Sequence, residues 1–257
     1  RGRGAGGGAA GRLARRPSSR RGGARVPAPA ILWGAPNTQR RRRWKNKHSP
    51  ANTPCRRHGK ISTVRIFLAG ATGVIGVRLL PLLIEAGHEV AGMTRSAAKV
   101  DQLRAAGAEP VVCDVYDADA LIAAVVGWGS EMVMHQLTDL PDDAALLPER
   151  AEANARIRTE GTRNLIAAAR AADAKRFLAQ SIAWEPPTGR GAVIQEHEAA
   201  VLDFDGVVVK YGQFYGPGTY YQTELPPHPR VHVDDAAERT IPLLDASSGV
   251  VIVADAS

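Results

Sequence analysis

Residues Arg65–Leu83 read RIFLAGATGVIGVRLLPLL. An apolar run of the kind that forms a buried strand ends at Gly70, and an apolar helical pattern begins near Val74. Between them lie three glycines spaced G-x-x-G-x-x-G, at Gly70, Gly73 and Gly76. A strand–loop–helix with this spacing suits the phosphates of a dinucleotide. Gly70 permits the tight turn, Gly73 lets the backbone approach the pyrophosphate, and Gly76 allows close packing of helix on strand. The helix N-terminus then offers free N–H groups and a positive dipole. No G-K-[ST] follows, which argues against a triphosphate P-loop.

Outward from this loop the same alternation repeats. HEVAGMTR reads as a second strand, SAAKVDQLRAAG as a helix, AEPVVCDV as strand three and DADALIAAVVG as the next helix. EMVMHQL is strand four, residues 148–174 one long helix, and KRFLAQSIA strand five. A helix around AVIQEHEAAVL, a sixth strand GVVVKYG, a helix through residue 246 and a last strand GVVIVADA complete the pattern. Val- and Ile-rich strands alternating with helices predict an α/β, Rossmann-type doubly wound parallel sheet with helices on both faces.

Composition divides the chain at about residue 62. Residues 1–60 carry 17 Lys or Arg and no Asp or Glu, whereas the remainder holds 16 basic and 26 acidic side chains, so the net charge of +7 averages two unlike pieces. Residues 1–62, rich in Arg, Gly and Pro, cannot bury enough apolar surface to offset their ordering entropy and read as a disordered basic tail. Three roles fit such a tail: an arm for nucleic acid or anionic surfaces, a targeting segment, or a tail without function. Residues 63–257 read as one folded domain. No run of about 18 apolar residues occurs, so no membrane span is expected. Two cysteines are too few for a disulfide framework, which points to a reducing, cytoplasmic setting.

At the end of the second strand, where an acid would grip an adenosine ribose, the sequence is MTRSAAK. Arg95 there favours a 2′-phosphate, hence NADP over NAD. The blocks LAGATGVIG, VVCDVYDADAL, NARIRTEGTRNLIAAARAADAKRFLAQSIAW, KYGQFYGPGT and VHVDDAAERTI together resemble the extended short-chain dehydrogenase/reductase superfamily, in particular its NAD-dependent epimerase/dehydratase-like proteins. The resemblance implies that Gly70, Thr72, Gly73, Val74, Ile75 and Gly76 hold the pyrophosphate. It implies that Asp114 and Val115 touch the adenine, and that Leu137 and Thr138 line the cofactor after strand four. Gln136 and Leu137 are bulkier than the small residues usual at that place. Asn154 resembles a helix Asn that supports the site, Tyr215 lies in a loop passing the nicotinamide, and Asp234 and Asp235 resemble helix-opening acids. Ser181 matches the catalytic Ser or Thr, and a homodimer through two long helices is implied.

Two departures stand out. The family's acid–base pair is a Tyr-x-x-x-Lys on the helix after strand five, yet no Tyr or Lys occurs between Ser181 and Lys210. His197, on that helix, is a possible substitute base and otherwise a surface residue. Lys210 and Tyr211, adjacent on a strand, point to opposite faces. The region expected to shape the substrate pocket, about residues 212–232, is short. His228 and His232 are interrupted by Pro229 and suggest no metal site. The expected function is therefore an NAD(P)-dependent oxidoreductase or epimerase-like enzyme acting on a small carbonyl or sugar-type substrate. The alternative is a non-catalytic NAD(P)-binding redox sensor of the NmrA-like kind.

Overall fold

A computed structural model of the chain describes residues 63–186 and 189–256. The expectations for residues 1–62 lie outside the described residues. Seven parallel strands form the central sheet in the order β3-β2-β1-β4-β5-β6-β9. They are β1 (Arg65–Ala69), β2 (Glu89–Thr94), β3 (Glu109–Val112), β4 (Met132–His135), β5 (Arg176–Ile182), β6 (Val207–Tyr211) and β9 (Gly249–Val253). The order reverses between β1 and β4, so their carboxyl ends diverge into two opposite crossovers and leave a crevice there.

Alternation along each strand sends successive side chains into two cores. Ile66, Leu68, Met134, Leu178, Val209 and Tyr211 pack on one face. That face is covered by α1 (Gly76–Glu85) and α7 (Val233–Thr240), which bring in Leu79, Leu83 and Ala236. Phe67, Ala69, Val133, Phe177 and Val208 pack on the other. Helices α3 (Ala118–Trp128), α5 (Thr162–Ala171) and α6 (Gly191–Asp203) cover it with Leu121, Leu165 and Val201. Each fully buried Leu contributes roughly 2 kcal/mol relative to exposure, which makes the sheet a rigid platform for its carboxyl edge. The short α2 (Val100–Ala105) follows β2 and ends at Gly107.

Two expectations about helices are corrected. The helix expected over 148–174 begins at α4 (Ala151–Arg156) and passes through a π-helical turn, Ile157–Gly161, before α5. That turn carries Arg158 inward, where it is buried. Gly161 meets Val115, whose methyl carbons would lie 3.6 Å from a Cβ at that position. The helix expected to run to residue 246 stops at Thr240 and tightens into a 3-10 turn, Ile241–Asp245, because Pro242 has no N–H to continue the α ladder. Between β6 and α7 the chain makes a two-stranded parallel sheet of β7 (Gln213–Tyr215) and β8 (Arg230–His232). No helix among the described residues is long and apolar enough to cross a membrane.

Candidate functional site

The glycine loop closes the crevice at its β1–β4 end. Gly70 has φ +93, and a Cβ there would stand 2.6 Å from the Gln136 carbonyl oxygen. Gly76 is tighter still, with the Gly70 carbonyl oxygen 2.0 Å from where its Cβ would be. Around Gly73 the nearest such atom is 3.3 Å away and the residue is exposed, so its outer side is open. The Gly73 N–H is spent on the Gly70 carbonyl at 3.0 Å, while Val74 and Ile75, at the mouth of α1, have N–H groups without an intramolecular acceptor among the described residues. Thr72 Oγ1 reaches Thr94 Oγ1 at 3.3 Å, tying the loop to the end of β2.

A residue that the sequence did not single out fixes this loop. Arg78, one turn into α1, donates to the Val74 carbonyl at 2.7 Å, to the Pro217 carbonyl at 2.5 Å and to Asp234 at 2.7 Å. Asp234 is thus an ion-pair partner, and the cap of α7 is the His232 side chain, accepting from the Asp234 N–H.

At the adenosine end, Arg95 extends from β2 toward Asp139, with 3.7 Å between nitrogen and oxygen, and Arg150 approaches the same carboxylate at 3.9 Å. Asp114 accepts from the Tyr116 N–H, and the Arg156 guanidinium lies over the Tyr116 ring, 3.8 Å from its centre. Val115 is buried against Gly161 of the π turn, and its carbonyl accepts from Asn164. Asn154 accepts from the Asp139 N–H at 3.2 Å and holds the loop after β4.

Gln136, at the end of β4, is 3% exposed. The Tyr211 hydroxyl beside it gives its proton to Thr240 Oγ1 (2.6 Å), which donates in turn to the Ala236 carbonyl (2.7 Å). The Gln136 amide lies against the Tyr211 hydroxyl, without a second partner among the described residues. The N–H groups of Val74 and Ile75 are the unpaired donors that an anionic ligand would complete. With the cradle at Gly73, the residues present fit a dinucleotide.

The other end of the crevice is built from side chains. Ser181, on β5, donates to Glu198 Oε1 at 2.5 Å. Lys210, its register partner on β6, donates to the same carboxylate at 3.0 Å and 3.1 Å. Glu198 thus lies on the face of α6 turned to β5 and β6. Sequence reading missed this trio because its members lie on three elements. The only available signal was the strand parity that puts Ser181 and Lys210 on one face of the sheet. Tyr211 does point the other way, as adjacency on a strand requires.

His197 is neither exposed nor aimed at the crevice. It is 1% exposed and both its ring nitrogens are engaged. The Leu137 N–H donates to His135 Nδ1, which makes His135 Nε2 a donor to Thr162 Oγ1 (3.1 Å). Thr162 then donates to His197 Nδ1 (2.7 Å), and His197 Nε2 donates to the Gln180 carbonyl (2.9 Å). Two neutral imidazoles satisfy every member of this chain. Burial, with Arg158 nearby, pushes the His197 pKa down to about 4, and burial and its His197 neighbour push His135 well below the ordinary range. His197 is thus a positioning residue beneath Ser181.

The remaining candidates are placed as follows. Leu137 is half-buried, its carbonyl accepting from Gln180 Nε2 at 3.0 Å, and Thr138 is exposed at the crevice edge. The Tyr215 hydroxyl donates to Asp255 at 3.0 Å, and its pKa is raised by burial and by that carboxylate. Tyr220 donates to the Pro141 carbonyl, joining the loop after β7 to the loop after β4.

A parallel sheet whose order reverses beside a glycine loop is the architecture of a dinucleotide-binding fold. Residues 70–191 match the family model described as NAD(P)H-binding. The chain is 38% identical over 185 residues to the 3-diazoavenalumate denitrifying reductase of a Streptomyces species, a match covering 62% of this chain and 59% of that protein. The chain thus spans about 59% of the length of that relative. Among solved structures it resembles the Bordetella bronchiseptica enzyme WbmG in complex with NAD, with TM-score 0.62, 20% identity, and 77% of this chain and 74% of that one covered. It also resembles the Thermus thermophilus UDP-glucose 4-epimerase complex with NAD, with TM-score 0.62, 19% identity and coverage of 75% and 78%. Residues 70–191 thus match an NAD(P)H-binding family model, and the chain shares its fold with WbmG and the UDP-glucose 4-epimerase.

Proposed function

We propose that the protein is an NADP-dependent reductase acting on a small carbonyl-type substrate, with Ser181 at the reacting centre. The observation that carries this reading is the placement of Ser181, Glu198 and Lys210 on the same sheet edge as the glycine loop. A protein that only held a nucleotide would have no use for a charged trio at the nicotinamide end. The similarity to a reductase and to enzymes solved with NAD supports the same class of activity.

A bound dihydronicotinamide supplies a hydride. The chain's own residues do the rest. The Val74 and Ile75 N–H groups and the dipole of α1 hold the pyrophosphate. Arg95 turns from Asp139 to a 2′-phosphate, a stronger and bidentate partner. Ser181 would orient the substrate oxygen.

The test is a fluorescence titration of the full chain with NADPH and NADH, followed by NADPH oxidation against a panel of aldehydes and ketones. Tighter binding of NADPH with turnover of a panel member is expected. Binding without turnover across the panel would favour the redox sensor, and binding of neither nucleotide would overturn both readings.

A further inference from the structure

We infer that Lys210, Glu198 and Ser181 form the proton relay of the reaction, in place of the absent Tyr-x-x-x-Lys pair; this rests on the nicotinamide-dependent reading above. Parallel pairing of β5 with β6 sets Ser181 beside Lys210 in register. Glu198 reaches down from α6 and bridges them, accepting from the Ser181 hydroxyl and from the Lys210 ammonium. The trio runs from Ser181, buried at the end of β5, out to the surface, where the side chain of Lys210 is 27% exposed and that of Glu198 15%. The other charged group facing Glu198 is Arg158 from the π turn, whose own pKa burial lowers to about 10 against the pull of that carboxylate. His197, next to Glu198 on α6, is spent on Thr162 and Gln180. Lys210 donates directly to both oxygens of the Glu198 carboxylate, so it is the cation placed to pass a proton along this path.

The transfers balance. In reduction the substrate carbon takes the hydride and its oxygen takes the Ser181 hydroxyl proton. Ser181 is reprotonated through Glu198 by Lys210, whose ammonium becomes an amine. Water returns a proton to that amine. Oxidation runs the same transfers in reverse, and the hydrogen bond from Ser181 to Glu198 is already directed for that sense. Glu198 and Lys210 act through Ser181, so they are positioning and proton-carrying residues, with Ser181 the one that touches substrate.

The relay has a signature that needs no substrate. An oxidised nicotinamide would bring a positive charge to the trio, and the relay would answer it by releasing a proton, whereas the neutral dihydronicotinamide would bring no such charge. Calorimetric titration of the full chain with NADP+ and with NADPH, in phosphate and in Tris at about pH 8.5, reads proton release directly from the buffer dependence of the heat. The expected result is release on binding NADP+ and not NADPH, lost in Glu198→Gln and in Lys210→Arg. Lys210→Arg keeps a cation beside Glu198, and its melting temperature, read alongside, separates loss of the relay from loss of the fold. Release that persists in Lys210→Arg would overturn the relay, as would equal proton release for the two nucleotides in the unmodified protein. Failure of either nucleotide to bind would instead remove the reading on which the relay rests.

Discussion

The two ends of the crevice are made of different material. At the glycine end almost every contact is backbone: the Gly70 carbonyl, the Gln136 carbonyl, the N–H groups of Val74 and Ile75. At the Ser181 end the contacts are side chains from β5, β6, α6 and the π turn. Backbone geometry comes from a short local stretch and tolerates little change, because a single added methyl has nowhere to go. Side-chain constellations come from tertiary packing, as the meeting of Ser181, Glu198 and Lys210 from three elements illustrates. The difference teaches that the holding of a nucleotide and the chemistry done with it are encoded separately in this fold.

The sharpest way to break the comparison is at Gly76. Its added Cβ would meet the Gly70 carbonyl oxygen at 2.0 Å, backbone against backbone, with no flexible atom to yield. Gly76→Ala is expected to cost about 3 kcal/mol or more of stability, the scale of severe overpacking, and to abolish NADPH binding. Gly73→Ala has its nearest contact at 3.3 Å and should leave the denaturation midpoint within about 1 kcal/mol while weakening NADPH. Equal denaturant midpoints for Gly76→Ala and the unmodified protein would show that the loop is not the rigid element.

The second break lies under Ser181. His197 is held neutral, its pKa pushed down to about 4 by burial. In the unfolded chain it titrates near 6.5, so between those values the unfolded state binds more protons. Stability is therefore full above about pH 6.5 and is lost as pH falls toward about 4, by about 3 kcal/mol from this group, with His135 acting in the same direction. Urea denaturation across that range should show the slope, and His197→Gln should flatten it. An unchanged slope in the variant would place the titrating group elsewhere.

That histidine also marks where the sequence stops being informative. The glycine loop, the strand order and the two buried faces follow from local period and spacing, since G-x-x-G-x-x-G between an apolar strand and an amphipathic helix admits few other geometries. The inward turn of Arg158 depends on one extra residue in a helical turn, which leaves the apolar pattern of 148–174 nearly untouched. Burial of His197 depends on Thr162 and Gln180, distant in sequence and brought together by α5 and β5. Arg78 was equally silent, because its three acceptors at Val74, Pro217 and Asp234 come from separate segments.

The smallest expected effects sharpen the contrast at the end of β2, where, on the proposed reading, a side chain, Arg95, selects the nucleotide. Arg95 is half exposed and its contact with Asp139, at 3.7 Å, is long for an ion pair. Such a pair contributes at most about 1 kcal/mol, so Asp139 is a weak competitor for a phosphate dianion. Arg95→Asp replaces a charge-assisted partner by a repelling carboxylate and should weaken NADPH by roughly 10- to 100-fold while sparing NADH. Asp139→Asn removes only the competitor and should tighten NADPH by a few-fold, about 0.5 kcal/mol, with NADH unchanged. The two variants must move NADPH in opposite directions. If Arg95→Asp left the NADPH to NADH ratio where it was, the 2′-phosphate would be read by another group at this rim, with Arg150 and Arg156 next to be exchanged.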